Sequence, residues 1–189
     1  MKLRKILEGL EIEEIKGSLD KDITGVAFDS RNVDKGYIFV AIKGFKSDGH
    51  DYITEAINKG ATAIILERDV EIKDNDITVI KLLDSRASLS KVSANFYENP
   101  SKHMNMIGIT GTNGKTTITY LIKSIFESNG NKMGIIGTIG SVIDGKLMKT
   151  ENTTPESTII QKYLKDMVNI KIVSCVMVAS SHSLDLKRV

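Results

Sequence analysis

Apolar residues recur along this chain in two rhythms, and their alternation predicts an α/β protein. Leu3, Ile6, Leu7 and Leu10 keep the spacing of a short amphipathic helix. Residues 25–28 and 37–42 are short runs of strand formers, joined by the turn-rich connection D-S-R-N-V-D-K-G. A polar loop, 43–51, leads into a helix carrying Ile53, Ala56 and Ile57 that stops at Gly60. Residues 63–66 and 78–82 read as further strands. Asp84 or Ser85 can then cap a helix with Leu89, Val92 and Phe96 on one face, ended by Asn99-Pro100.

After a linker at 100–103 the rhythm resumes at M-I-G-I-T-G-T-N-G-K-T-T, residues 106–117. A buried strand breaks into a turn with glycines at 108, 111 and 114. A helix follows whose buried face is expected to hold Ile118, Leu121, Ile122, Ile125 and Phe126, with Gly130 as its stop. Strand, glycine loop, Lys-Thr and helix form the arrangement that binds nucleotide phosphates. Glycines let backbone N–H groups approach the anion, and the helix N-terminus adds partial positive charge. Lys115, the candidate catalytic cation, can reach the outer phosphates, and the Thr116 hydroxyl can ligate Mg²⁺. The strict pattern G-x-x-x-x-G-K-[ST] wants glycine at 109. This chain has Ile109, so Gly111 and Gly114 set the turn in a variant loop. The competing reading is a tight βα turn with a surface lysine.

Residues 132–139 read as another strand, Asp144-Gly145 as a hairpin turn, and N-T-T-P-E-S (152–157) as a loop opening a helix with Ile159, Ile160, Tyr163, Leu164 and Met167 inward. A last strand, 172–177, ends in V-A-S-S-H. Helix and strand alternate throughout, which predicts mostly parallel, helix-flanked sheets. Two domains are expected, a small α/β domain at 1–102 and a P-loop parallel-sheet domain at 103–189. The P-loop domain is expected to be incomplete, with three strand candidates where a doubly wound domain has about five or six.

Composition narrows the function classes. Lys and Arg number 26 against 24 Asp and Glu, too even a balance for a nucleic-acid surface. No run approaches the ~18 apolar residues of a membrane span. The basic start M-K-L-R-K meets Glu8, Glu11, Glu13 and Glu14 with no apolar core, unlike a secretory signal. Cys175 is the single cysteine and reads as a small core residue, which fits a cytoplasmic setting. No His/Cys/carboxylate cluster has zinc spacing. His50 and His103 read as structural or exposed, and His182 as a polar strand-end residue.

Several blocks together resemble the Mur ligase family, the ATP-dependent amide ligases that build the peptidoglycan stem peptide. They are T-G-T-N-G-K-T (110–116), D-S-R (29–31), G-Y-I-F-V-A-I-K-G (36–44), D-G-H (48–50) and A-I-N-K-G-A (56–61). N-T-T-P-E-S, S-S-H and Arg188-Val189 resemble the members that add the third residue, diaminopimelate or lysine. The likeness runs through all 189 residues but matches only the N-terminal part of such enzymes. G-T-N-G-K-T alone is less specific, because folylpolyglutamate and cyanophycin synthetases have similar loops.

The resemblance implies a uridine-nucleotide domain followed by an ATP-binding one. Ser30 would contact the UDP-sugar. Thr110, Gly111, Thr112, Asn113, Gly114, Lys115 and Thr116 would hold ATP, with Mg²⁺ at Thr116. Asn152, Thr153, Thr154, Ser180 and Arg188 would contact UDP-N-acetylmuramoyl-dipeptide. The implied chemistry is acyl-phosphate formation on the D-Glu carboxylate, then attack by an amine. Val178 stands where the family has an acidic metal ligand. The family's modified lysine, its ATP-base contacts and its amino-acid-selecting domain would follow Val189. Each site residue also has a plainer reading: Ser30 as a turn serine, Thr153 and Thr154 as helix caps, Arg188 as a terminal residue. Three functions are therefore in play: a ligase, a non-catalytic UDP-sugar and nucleotide-binding module, and a folylpolyglutamate-type P-loop ligase. No nucleic-acid or membrane partner is expected, whereas an unfinished sheet edge invites self-association.

Overall fold

A computed structural model describes residues 1–45, 47–149 and 152–189. The chain divides into two compact units, Met1–Phe96 and Tyr97–Val189.

The first unit comprises α1 (Leu3–Ile6), β1 (Ile12–Lys16), β2 (Gly25–Ala27), β3 (Tyr37–Val40), α2 (Ile53–Asn58), β4 (Ala63–Leu66), β5 (Thr78–Leu82) and α3 (Ser85–Phe96). Its sheet runs β1-β5-β4-β3-β2. Strands β2 to β5 pair in parallel, while β1 lies antiparallel on the β5 edge. Alternation sends Ile38, Val40 and Ile65 to a core shared with Leu3, Ile6, Leu89 and Val92. It sends Phe39, Ala41 and Ile64 to the opposite core with Ile53 and Ala56. Coverage of both faces explains why these strands read as unbroken apolar runs. The Asn95 side chain ties α3 to α1 by donating to the Ile6 and Glu8 carbonyls at 2.9 and 2.8 Å.

The second unit comprises β6 (Asn105–Ile109), α4 (Lys115–Ser128), β7 (Gly134–Gly137), β8 (Gly140–Ile143), β9 (Lys146–Met148), α5 (Ser157–Asn169), β10 (Ser174–Val178) and α6 (Ser181–Asp185). Its sheet runs β6-β10-β7-β8-β9, with β6 on one edge. Helix α5 buries Ile160, Leu164 and Met167 against Ile136 and Cys175. On the other core, Ile122 and Phe126 of α4 pack toward Ile135 and Val176. Burial of Cys175 pushes its thiol up to about 12, the behaviour of an inert core residue.

Three expectations need correction. The second sheet is mixed rather than mostly parallel, because β8 and β9 form an antiparallel meander after β7, while the first is mostly parallel with β1 as its one antiparallel edge. The β1 residues Glu13, Glu14, Ile15 and Lys16 are exposed, so no buried alternation marks the strand. The strand expected at 132–139 is only Gly134–Gly137, and the chain turns back at once through β8. Finally, Ile118, Leu121 and Ile125 are 45%, 58% and 61% exposed. The apolar stripe of α4 is wider than the strip the sheet covers. Ile122 and Phe126 take the covered flank beside buried Thr119, and the other three residues lie outside it.

Candidate functional site

In the first unit, a cleft of about 500 Å³ opens at the carboxyl ends of β2 and β3, where ligands of parallel sheets sit. Asp29 follows β2 and caps a 3-10 turn, accepting the Arg31 N–H at 2.9 Å. The Arg31 guanidinium folds back on the same carboxylate at 2.6–3.1 Å and holds its pKa below the usual range. Ser30 is thereby turned inward and is only 5% exposed. Lys59 of the α2 C-cap donates to the Ser30 carbonyl at 3.1 Å and pairs with Glu55 at 3.0 Å. Lys59, with help from the Ser30 hydroxyl, keeps the Glu55 carboxyl below its ordinary value. Ser30 is thus part of a Lys59–Glu55 cluster on the cleft wall. Phe28, Tyr52 and Arg86 line the same cleft. Nothing in their spacing announces this, because they come from three separate parts of the unit: the loop after β2, the 3-10 turn before α2, and the first turn of α3.

The D-G-H block shapes the rim. A Cβ on Gly49 would lie 2.7 Å from the Ile42 nitrogen, so only glycine fits this close approach. His50 Nε2 accepts the Glu67 N–H at 3.2 Å, which leaves the proton on Nδ1 to donate to Asp48 at 2.6 Å. The ring is 1% exposed and serves as structural support, in line with its plainer reading.

In the second unit, Ile109 ends β6 and the chain turns through Gly111 (φ +146°) and Gly114 (φ +75°) into α4. A Cβ at Gly111 would meet only the Asn113 carbonyl, 3.8 Å away. Backbone conformation, not crowding, therefore calls for glycine here, and the loop face stays open. Thr110, Gly111, Thr112, Asn113 and Gly114 are exposed, and Lys115 and Thr116 are half-buried on the first turn. No side chain caps this helix. Lys115 Nζ bridges the Gly111 and Thr112 carbonyls at 2.6 and 3.2 Å, so the ammonium lies over the loop. Open amides, a bare helix N-terminus and a hovering cation fit a polyphosphate.

Thr154, Ser180 and Arg188 gather at the carboxyl end of the same sheet. Strands β6 and β10 are parallel neighbours, with Ile109 opposite Val178, and the Ala179 N–H donates to the Ile109 carbonyl at 2.9 Å. Ser180, just beyond, therefore leaves the sheet beside the phosphate loop. Thr154 is 1% exposed. Its hydroxyl donates to the Val178 carbonyl at 2.8 Å and accepts the Ser180 N–H at 3.3 Å. Arg188 donates to the Thr154 carbonyl at 3.2 Å and pairs with Glu156 at 2.8 Å, with side chains only 12% and 14% exposed. The Arg188 Nε is buried with no hydrogen-bond partner among the described residues. Thr154, Ser180 and Arg188 are thus joined, with Thr154 serving as their brace. Asn152 is exposed and Thr153 half-buried on the adjoining loop. The role of Glu156 has no signal in the sequence, since a carboxylate before a helix reads first as a cap.

Among the described residues no group of three or more His, Cys, Asp or Glu could hold a metal ion. Val178 is fully buried and apolar. Thr116, half-buried on the first turn of α4, is a hydroxyl that could help hold a phosphate-bound Mg²⁺. Among the described residues no helix is long and apolar enough to cross a membrane.

Residues 22–97 match the model "Mur ligase family, catalytic domain", and residues 109–189 match "Mur ligase middle domain". The chain is 50% identical over 190 residues to UDP-N-acetylmuramoyl-L-alanyl-D-glutamate–2,6-diaminopimelate ligase of Clostridioides difficile (strain 630), covering all of this chain and 39% of that one. It is 48% identical over 189 residues to a ligase of the same name, numbered 1, from Clostridium acetobutylicum, with the same coverage. A solved diaminopimelate ligase of this name superposes with TM-score 0.80 at 25% identity, over 100% of this chain and 37% of that one. MurF ligase from Thermotoga maritima in complex with ADP superposes with TM-score 0.55 at 25% identity, over 83% and 32%. The chain spans about 39% of the length of the curated relatives it matches.

Proposed function

The chain belongs to the Mur ligase family, and from that premise we propose that it carries the substrate- and nucleotide-handling portion of a ligase that extends UDP-N-acetylmuramoyl-L-Ala-D-Glu by diaminopimelate or lysine in the cytoplasm. The observation that carries the proposal is the Ala179-to-Ile109 hydrogen bond. It supports one locale for the Lys115 loop and for Thr154, Ser180 and Arg188, so that an ATP γ-phosphate and a muramoyl-peptide carboxylate can meet there.

In this reading the cleft beside Ser30 takes the uridine end of the substrate, and residues 1–102 act as its domain. Thr110 to Thr116 hold the ATP phosphates through backbone amides and Lys115. Phosphoryl transfer places the γ-phosphoryl on a D-Glu carboxylate oxygen and releases ADP. The amine then attacks the acyl carbon, and phosphate leaves. Such chemistry depends on positioning and charge neutralisation, so Lys115 is the catalytic cation. Mg²⁺, held with the help of Thr116, would offset phosphate charge. Arg188, braced by Glu156 and Thr154, would hold the peptide carboxylates together with Asn152, Thr153 and Ser180.

Calorimetric titration with UDP-N-acetylmuramoyl-L-Ala-D-Glu tests the proposal. Binding is expected, weakened by Ser30→Ala and by Thr153→Ala, and affinities unchanged in both variants would contradict it. Val178 favours a second reading, binding without turnover. Incubation with ATP, Mg²⁺, the dipeptide substrate and either diamino acid separates the two, since only the ligase yields tripeptide. The open edge of β6 would also admit a second copy, which light scattering across a concentration series detects.

A further inference from the structure

The chain contains two Asn-Gly pairs, Asn113-Gly114 and Asn129-Gly130, and the fold treats them differently. In such a pair no Cβ screens the glycine nitrogen from the asparagine side chain. Both pairs are exposed, and both glycines have positive φ, +75° at Gly114 and +78° at Gly130. At the end of α4 the Asn129 side-chain amide donates to the Ile125 carbonyl at 2.8 Å, and the Gly130 N–H donates to the Glu127 carbonyl at 2.9 Å. The two groups that would have to meet are each tied to the last turn of the helix. In the phosphate loop, neither the Asn113 side-chain amide nor the Gly114 N–H has a hydrogen-bond partner among the described residues. The open amide that suits an anion is therefore also free to act as a nucleophile.

We propose that Asn113 is a site of spontaneous deamidation and that Asn129, in the same kind of dipeptide, is shielded from it. The Gly114 nitrogen bonds to the Asn113 side-chain carbonyl carbon. The bond from that carbon to the amide nitrogen breaks, and ammonia leaves with the Gly114 proton. Solvent water then opens the succinimide ring at either carbonyl, which leaves aspartate or isoaspartate. Either product puts a negative charge in the anion cradle, two residues before Lys115. The modification follows from the loop itself, whereas its effect on ATP, and protection by ATP, rest on the phosphate-loop reading given above.

The test ages the 189-residue chain in mildly alkaline buffer, with and without ATP and Mg²⁺, and follows its tryptic peptides 103–115 and 124–132 by mass spectrometry. Fragmentation assigns the mass gain of amide-to-acid exchange to each asparagine. Asn113 is expected to gain it several-fold faster than Asn129, and ATP should slow Asn113 alone. In concentrated urea the two rates should draw together, because the difference belongs to the fold. Aged wild type should lose at least about fivefold in ATP affinity, the scale of one repelling charge near a protein surface. Aged and fresh Asn113→Gln should bind ATP alike, since the longer side chain closes a ring far more slowly. Equal native rates at the two asparagines, or a difference that persists in urea, would overturn the proposal. So would a rate at Asn113 that bound ATP leaves unchanged. A chain that binds no ATP contradicts the phosphate-loop reading, while faster native loss at Asn113 still upholds the deamidation site.

Discussion

Helices α3 and α4 are built to similar sequence rules yet meet opposite fates. Each follows a strand and carries an apolar stripe at helical spacing. Leu89 and Val92 of α3 are almost wholly buried, and the helix start is closed by Asp84 and Glu67. On α4, Leu121 and Ile125 face solvent, and the start is a bare glycine turn beneath a lysine. Periodicity therefore reports which face of a helix is apolar, not how much of it a sheet covers. Side chains close the start of α3, whereas the glycine turn leaves the start of α4 open.

The contrast is sharpest in stability. Leu89→Ala should cost about 2–5 kcal/mol, as a cavity in a closed core does. Leu121→Ala should stay within about 0.5 kcal/mol, as exposed substitutions do. Urea unfolding of the two variants checks this, and similar losses would mean that the α4 face is packed after all.

Next in size is the cap. Asp84→Ala should lower stability by about 1 kcal/mol without touching nucleotide affinity. Lys115→Ala should do the reverse, with thermal denaturation and ATP titration read side by side.

The smallest effect is in pH. The folded pKa of Asp29 is depressed below 3.8 by Arg31. Its stabilising contribution is therefore fully present above that value and is lost as pH falls through the lower folded value. Arg31→Ala should return the Asp29 titration toward 3.8 in a carboxyl NMR titration and blunt the loss of stability in acid.

These differences also mark what the letters could carry. The inner strands of the first sheet were legible because both faces are buried, so that 37–40 and 63–66 are apolar throughout. The glycine loop was legible because Gly111 and Gly114 take positive φ, which side chains resist. Strand β1 was not, since most of it faces water on an edge. Nor was the exposure of Ile118, which depends on what lies across from it in space. Resemblance singled out Ser30, Thr154 and Arg188 as candidates. Their partners Glu55, Lys59 and Glu156 were not singled out, because a bond across the fold leaves no spacing behind. Structure also changed the meaning of a predicted residue: Thr154 spends its hydroxyl on Val178 and Ser180.

The central claim, a phosphate cradle at residues 110–116, is tested most directly by the affinity of the chain for ATP with and without the Lys115 ammonium. Calorimetry of wild type against Lys115→Ala, in the presence of Mg²⁺, should show saturable binding that falls at least about tenfold in the variant, with thermal stability unchanged. Equal affinity in the two proteins, or none in the wild type, would contradict that claim.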